Sequence, residues 1–198
     1  MKRACFLALQ LGVLLAFLAG EVVGGQEKEA ATLDRDEARK AFEYLNKVRK
    51  DPAKFSKEIG VDLSDVKPRK ELKWHDVLAK VAEEKALDMA NRDYFGHVTP
   101  EGLGINIQIH EAGYTLPKDW LKEKDQNFFE SISAGTNTAE EAIRNLIVDK
   151  DLPDSSHRKQ LLGITDFYSE CADIGIGFAR NPKSKYRTYM SIVIARKK

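Results

Sequence analysis

The stretch Tyr94-Phe95-Gly96-His97-Val98-Thr99-Pro100-Glu101-Gly102 places a histidine between a glycine and a proline, in a loop that follows a helical pattern. A second histidine comes about sixty residues later, in Ser155-Ser156-His157-Arg158-Lys159. Two carboxylates lie between them, Glu130 on a predicted strand and Asp149 near the end of a predicted helix. Imidazoles and carboxylates are groups that bind divalent cations, so the pattern indicates one site built from distant parts of the chain.

The first half of the chain predicts helices. The strongest amphipathic pattern runs over about 75–93, directly before the histidine loop. An earlier helix begins at Asp34. The pair Asp51-Pro52 begins a second helix that ends at Gly60, because aspartate is a good N-cap and proline suits the first helical position. The polar segment 62–72 is predicted to be a loop.

The next segments deliver the second half of the candidate site. The run 128–132 alternates apolar and polar residues as a strand does. Thr138 and Glu141 form a capping box at the start of a helix that ends near Asp149. A polar segment then leads to His157, which is expected at the start of another short helix.

The chain ends in a predicted β-hairpin. In residues 174–178 large apolar side chains alternate with Gly175 and Gly177, and residues 186–194 form a longer run with a period of two. The two glycines indicate that another element lies close to this sheet. Together the elements predict an α+β fold with an antiparallel sheet between helical layers.

Taken in order, these motifs resemble the CAP superfamily, the secreted group named for cysteine-rich secretory proteins, venom antigens and plant pathogenesis-related proteins, in its compact bacterial-type form. The resemblance covers roughly Asp34 to the C-terminus and implies a three-layer α-β-α sandwich with a small antiparallel sheet. The matching segments are the amphipathic helix before GHVTPEG, then IHEAGY, FESISAG, TAEEAIRNLIVD, SHRKQLLG and GIGFAR.

The resemblance also implies a cleft with two histidines and two acidic residues. These positions fall on His97, Glu130, Asp149 and His157, as ligands of zinc or another divalent cation. Asp149 is assigned by its helix position alone and is shorter than the glutamate often found there. The family commonly has glycine, glutamate and asparagine where this chain has Phe129-Glu130-Ser131. The family's partners imply a small apolar ligand, such as a sterol or a fatty acid, or an extracellular protein.

The N-terminus has the order of a secretory signal, with Lys2 and Arg3, an apolar run over about 4–19, and then small residues. This run is shorter than the about 20 apolar residues that cross a membrane, so we expect cleavage and no transmembrane anchor. The chain then divides into a signal peptide (1–25), a short linker (26–33) and a CAP domain (34–198). Secretion would place it outside the cell, in a periplasm or on the cell surface.

The charge and the cysteine content bear on possible partners and on disulfide bonds. The 32 basic and 31 acidic residues become equal in number when Lys2, Arg3 and Glu21 leave with the signal, which argues against a nucleic-acid partner. Cys5 lies in the signal, so Cys171 is alone in the mature protein and no intramolecular disulfide can form. Cys171 is predicted to be a small buried hydrophobe.

Three functions remain open. The first is a secreted binding module whose cleft takes a divalent metal or a small apolar ligand. The second is a metal-assisted hydrolase or peptidase with Glu130 as catalytic base. The third is a structural extracellular protein with a vestigial site, in which His97, Glu130 and His157 hydrogen-bond to one another and fix loops to the sheet. His75 and His110 have no matching partner and are expected to lie outside the site.

Overall fold

The computed structural model of the protein describes residues 30–150 and 152–197. The predicted signal peptide and Cys5 lie outside these residues. The helices are α1 (Arg35–Lys50), α2 (Pro52–Ile59), α3 (Asp76–Arg92), α4 (Ile105–Glu111), α5 (Ala139–Val148), α6 (Ser156–Leu162) and α7 (Asp166–Ser169), with a 3-10 helix at Lys118–Leu121. The strands are β1 (Thr32–Leu33), β2 (Lys73–Trp74), β3 (Glu130–Ala134), β4 (Asp173–Arg180) and β5 (Thr188–Ala195).

The strands form one sheet that is antiparallel apart from a single short pairing. Its order is β1-β4-β5-β3, and β2 pairs in parallel with the beginning of β4. The predicted hairpin forms the centre, since β4 and β5 pair along their whole length, from Asp173 opposite Ala195 to Arg180 opposite Thr188. β3 lies at one edge, where Glu130 stands opposite Val193. The strand that carries Glu130 therefore has a strand partner on one side only, although its residues Glu130 to Ser133 are buried.

Helix α3 covers one face of the sheet at very short range. A Cβ atom on Gly175 would collide with the backbone of Leu78 and Ala79, and one on Gly177 would collide with the backbone of Ala82. The expectation that glycines let another element approach the sheet is confirmed. Since side chains alternate along a strand, Ile174, Ile176 and Phe178, which flank these glycines, point to the opposite face.

The opposite face holds the larger core. Ile176, Phe178 and Ile192 are buried there in a cluster that also includes Leu45 of α1 and Ile143 of α5. Helices α1 and α5 contact each other, and both contact the sheet. The fold is thus the predicted α+β sandwich, with a small sheet between helical layers.

Sequence signals at helix ends were accurate. Asp51 caps α2 by accepting the N–H of Lys54, and Gly60 ends that helix in the left-handed conformation. The predicted cap of α5 also forms, with the Thr138 side chain accepting the N–H of Glu141. The glutamate reaches back to the N–H of Asn137, one residue before the position that a capping box uses.

Two short strands were not predicted from the sequence. Thr32 and Leu33, which the sequence analysis placed in the linker, form β1 and pair with the end of β4. Lys73 and Trp74 form β2 after the predicted loop. Two-residue strands contain too few residues for a period-two pattern to be visible, so the pairing with β4 defines them. In the part of the chain described, no helix is long and apolar enough to cross a membrane.

Candidate functional site

The first half of the site joins the histidine loop to the edge strand. His97 Nδ1 lies 2.9 Å from Oε2 of Glu130, while Oε1 of Glu130 accepts a hydrogen bond of 2.7 Å from Ser191 Oγ on β5. The Glu130 side chain has no solvent exposure, whereas the His97 side chain is 36% exposed. The carboxylate is therefore fixed from both sides, and the imidazole reaches solvent.

A buried lysine that no sequence motif singled out supports this pair. Lys85 on α3 is 1% exposed, and its ammonium donates to the backbone oxygen of His97 at 3.1 Å and to the Tyr94 hydroxyl at 3.2 Å. Burial lowers the pKa of Lys85, while the negative charges of Glu130 and Asp88 act in the opposite direction. The available signal was its position on the buried stripe of the amphipathic helix, where a lysine needs a polar partner.

The end of the histidine loop is tied back to α3. Arg92 binds the carboxylate of Glu101 with two hydrogen bonds of 2.7 and 3.0 Å. The hydrogen bond with Arg92 lowers the pKa of Glu101 to about 2. Lys85 and this ion pair hold the loop on both sides of His97, so the histidine is presented by a fixed loop.

The second half of the site lies where α5 ends and α6 begins. Asp149 follows α5 in the left-handed conformation, with φ of 53°, and its side chain is 3% exposed. Its Oδ1 lies 2.8 Å from His157 Nδ1, and its Oδ2 accepts the backbone N–H groups of His157 and Arg158. The N-cap residue Ser155 makes no side-chain cap, so Asp149 caps α6 from outside the helix.

Arg158 of α6 binds back to the end of α5. Its guanidinium donates to the backbone oxygens of Ile147 and Val148, both at 2.6 Å, at the C-terminal end of α5. A cation at a helix C-terminus and an anion at a helix N-terminus are both favourable. The two helix ends are thus locked together, and His157 is held at the junction with its side chain 21% exposed.

A cavity of about 310 Å³ opens beside this junction. Its polar wall includes His157 and Asp149, and its apolar wall includes Phe95 and Leu152, which are 45% and 36% exposed. Ile132 of β3 and Tyr186 also line it, with Ser133, Ala134, Thr136, Asn145, Leu146 and Lys150. His97 and Glu130 are not lining residues. The structure therefore places the four predicted residues in two separate pairs, and Phe95 of the histidine loop lines the cavity beside the second pair.

Both histidines use the same ring nitrogen for their carboxylate. An ionised carboxylate only accepts hydrogen bonds, so in the tautomer that satisfies such a carboxylate Nδ1 donates, and a neutral ring then presents a lone pair on Nε2. No described residue hydrogen-bonds to Nε2 of His97 or His157. Histidine ligands of metal ions commonly have this arrangement, in which the second nitrogen donates to a carboxylate.

These donors fit only part of a zinc site. Zinc in proteins usually has three or four protein ligands. Among residues 30–150 and 152–197, no group of three or more His, Cys, Asp or Glu side chains is arranged to hold a metal ion. The two imidazoles could supply nitrogen ligands, with the two carboxylates orienting the rings and with water completing the coordination.

The arrangement is less suited to Glu130 as a catalytic base. A general base needs an oxygen within hydrogen-bond reach of the water that it activates. Both oxygens of Glu130 are already engaged, by His97 and by Ser191, and the side chain is sealed from solvent. A base role would require one of these bonds to break.

The remaining histidines and the cysteine lie in different surroundings. His75 packs edge-on against Tyr114, and His110 Nδ1 accepts the N–H of Leu116. Cys171 is 2% exposed, as predicted for a small buried hydrophobe. Burial raises the pKa of the Cys171 thiol to about 12, so it remains protonated at neutral pH.

A comparison with known families assigns most of this chain to one of them. The family model described as CAP, the cysteine-rich secretory protein family, matches residues 42–194. This range contains all four candidate site residues. No curated protein sequence matches the chain significantly.

Two solved structures share the fold. An outer surface protein of Borrelia burgdorferi superposes with a TM-score of 0.55 at 14% identity, over 85% of this chain and 99% of that one. An extracellular protein of Bacillus anthracis that contains an SCP domain superposes with a TM-score of 0.53 at 19% identity, over 82% of this chain and 41% of that one. At these identities the likeness shows the fold alone.

Proposed function

Because the chain belongs to the cysteine-rich secretory protein (CAP) family, we propose that it is an extracellular binding module that takes a divalent cation, such as zinc, weakly between His97 and His157. The observation that carries the proposal is the matched use of the two rings. Each Nδ1 faces a carboxylate, at 2.9 Å from Glu130 and 2.8 Å from Asp149, and each Nε2 is left without a partner among the described residues.

Zinc titration of the purified protein by calorimetry tests the proposal. If the two imidazoles share one ion, His97→Ala and His157→Ala should each remove most of the affinity, and the double variant should lose little more, because ligands of one ion are not additive. Affinity should also fall as the pH is lowered, since protons compete for the same lone pairs. His110→Ala is the matched control and should bind zinc as the wild type does.

The contrary result is equally definite. Equal zinc affinity in the wild type and in His97→Ala would leave the two pairs as hydrogen-bonded staples of the loops. In that case the thermal stability of the His97 and His157 variants should fall while their zinc binding is unchanged. The two hypotheses, hydrogen-bonded staples and metal binding, therefore predict different results for the same set of variants.

The cavity beside His157 favours a second candidate, a small apolar ligand. Phe95 and Leu152 expose apolar surface at its wall, and about 310 Å³ is at the lower end of small-molecule sites. A fatty acid used as the probe should bind the wild type and should bind Phe95→Ser more weakly. Ile164→Ser removes a comparably exposed apolar side chain elsewhere and should leave binding unchanged. An equal loss of fatty-acid binding in both variants would contradict a ligand site in this cavity.

Secretion is part of the same proposal and has its own test. The basic, apolar and small-residue order of the N-terminus supports export. Mass spectrometry of the secreted protein should show a first residue between about Glu21 and Gln26 and one free thiol. Secreted protein that still begins at Met1 would contradict it.

A further inference from the structure

A second cavity lies away from the histidine cleft and shares no lining residue with it. It measures about 360 Å³ and lies between the C-terminal end of α1, the loop before β2, and the turn between α7 and β4. Three cationic side chains line it, Arg49, Arg69 and Lys70, together with one carboxylate, Glu71. Pro68, Ser169, Cys171 and Ala172 complete the wall. The charge of the lining is therefore positive on balance.

Arg49 is the innermost of these cations. It is 2% exposed, although arginine is almost never fully buried unless it is paired. One of its terminal nitrogens, Nη1, donates to the backbone oxygen of Leu161 at 2.7 Å, near the end of α6. Its Nε–H is sealed from solvent and has no acceptor among the described residues. A guanidinium has five N–H donors, and the Leu161 oxygen accepts from only one of its nitrogens.

Arg69, the neighbour of Arg49, also has a buried donor without an acceptor in the described part of the chain. The backbone N–H of Arg69 donates to the backbone oxygen of Arg49 at 2.8 Å, which holds the two residues side by side. The Nε–H of Arg69 is also buried without an acceptor among the described residues. No carboxylate in residues 30–150 and 152–197 forms an ion pair with either arginine.

Two neighbouring guanidiniums destabilise each other when neither forms an ion pair with a carboxylate. Burial, and next the charge of Arg69, lower the pKa of Arg49 to about 10. An anion in the cavity that both side chains line would reduce this repulsion and could accept hydrogen bonds from their guanidiniums. Buried donors without partners are rare in folded proteins, and an ion at the site is one of their ordinary explanations.

We propose that the Arg49–Arg69 cavity binds the oxyanion group of a small ligand, a phosphate, sulfate or carboxylate. The planar guanidinium fork matches the spacing of two oxygens on one such group, and charge-assisted bonds of this kind are the strong ones. The cavity is larger than an inorganic anion needs and falls in the size range of small-molecule sites, so the oxyanion is expected to be the head of a larger molecule. This site is independent of the proposed cation cleft.

Inorganic phosphate is the probe for the test, with chloride at matched ionic strength as the reference. Nitrogen–proton NMR correlation of arginine side chains reports the Nε–H of Arg49 and Arg69 directly. Phosphate should shift both signals saturably, and chloride should not. Arg69→Gln should weaken the apparent phosphate affinity about tenfold or more, because a charge-assisted bidentate contact is lost. Acetate and sulfate titrations then distinguish which oxyanion the cavity prefers.

Two variants separate geometry from charge. Lys67→Gln removes the same charge from the same loop at an exposed residue outside the cavity lining, and should keep phosphate binding. Arg69→Lys keeps the charge but loses the fork, and should bind nearly as weakly as Arg69→Gln. The proposal is overturned if phosphate gives no saturable shift of the Arg49 and Arg69 signals. It is also overturned if both Arg69 variants bind as the wild type does, or if Lys67→Gln loses as much affinity as they do.

Discussion

Asp149 holds His157 twice, through the imidazole Nδ1 at 2.8 Å and through the backbone N–H at 2.9 Å. The two contacts use different oxygens of one carboxylate, so the same side chain orients the ring and caps the helix on which the ring stands. The position of the histidine in the cleft and the stability of α6 are therefore coupled.

This coupling predicts the effect of Asp149→Asn. Asparagine tolerates the left-handed backbone at this position, but it offers only one acceptor oxygen. If that oxygen accepts the backbone N–H groups, the NH₂ group faces His157 Nδ1, which must change tautomer to accept it; in the other orientation the NH₂ group faces the backbone donors. We expect a loss of about 1–3 kcal/mol in the free energy of unfolding, measured with urea. Asp65→Asn, at an exposed loop residue, is the control and should change stability little. Equal stability of the two variants would show that Asp149 does not hold the junction.

Lys85 provides a second prediction, because it is a buried cation that serves a loop. Lys85→Met should leave the backbone oxygen of His97 without its donor and should cost about 1–3 kcal/mol in the free energy of unfolding. Lys80→Met, on the exposed surface of the same helix, removes an equal charge and should be nearly neutral. Urea denaturation of both variants checks this, and a neutral Lys85→Met would mean that the ammonium only fills space.

Much of this arrangement could be predicted from the sequence, and the rest could not, for a physical reason. The caps at Asp51 and Thr138 and the close approach at Gly175 are local signals, and each is confirmed. The four site residues stay a prediction as metal ligands. Their pairing, His97 with Glu130 and His157 with Asp149, depends on how β3 and α5 pack, which no local pattern encodes.

The residues that sequence reasoning missed act at long range. The helical pattern of α3 indicates that Lys85 is buried, but its partner, the backbone oxygen of His97, is known only from the packed structure. Arg49 is recognisable only once α6 is known to end against it. Strand β1 was missed because two residues carry no periodicity, and only the neighbouring strand defines them. Tertiary packing decided each of these cases.

The Arg92–Glu101 pair predicts a pH dependence near the histidine loop. The hydrogen bond with Arg92 lowers the pKa of Glu101 from its usual 4.5 to about 2. A depressed carboxyl pKa means that the pair contributes stability above pH 4.5 and loses it as the pH falls through about 2. NMR titration of the Glu101 carboxyl should show the low midpoint in the wild type. The midpoint should return towards its usual value in Arg92→Gln, and salt should raise it in the wild type because the pair is exposed. A wild-type midpoint near 4.5 would contradict the ion pair.

Gly177→Ala tests how closely α3 lies on the sheet. The added methyl group would collide with the Ala82 carbonyl and the Glu83 nitrogen, both of them backbone atoms that cannot rotate away. Helix and sheet would have to separate, which should cost about 1–3 kcal/mol in the free energy of unfolding. Gly96→Ala is the matched control, because a Cβ there meets only the Val98 carbonyl oxygen at 3.8 Å, an ordinary contact. Since Lys85 of α3 holds the backbone of His97, Gly177→Ala should also weaken zinc binding if the cation cleft exists, whereas Gly96→Ala should preserve stability. Thermal unfolding of the two variants decides the packing question, and equal melting temperatures would show that the layers have room to spare.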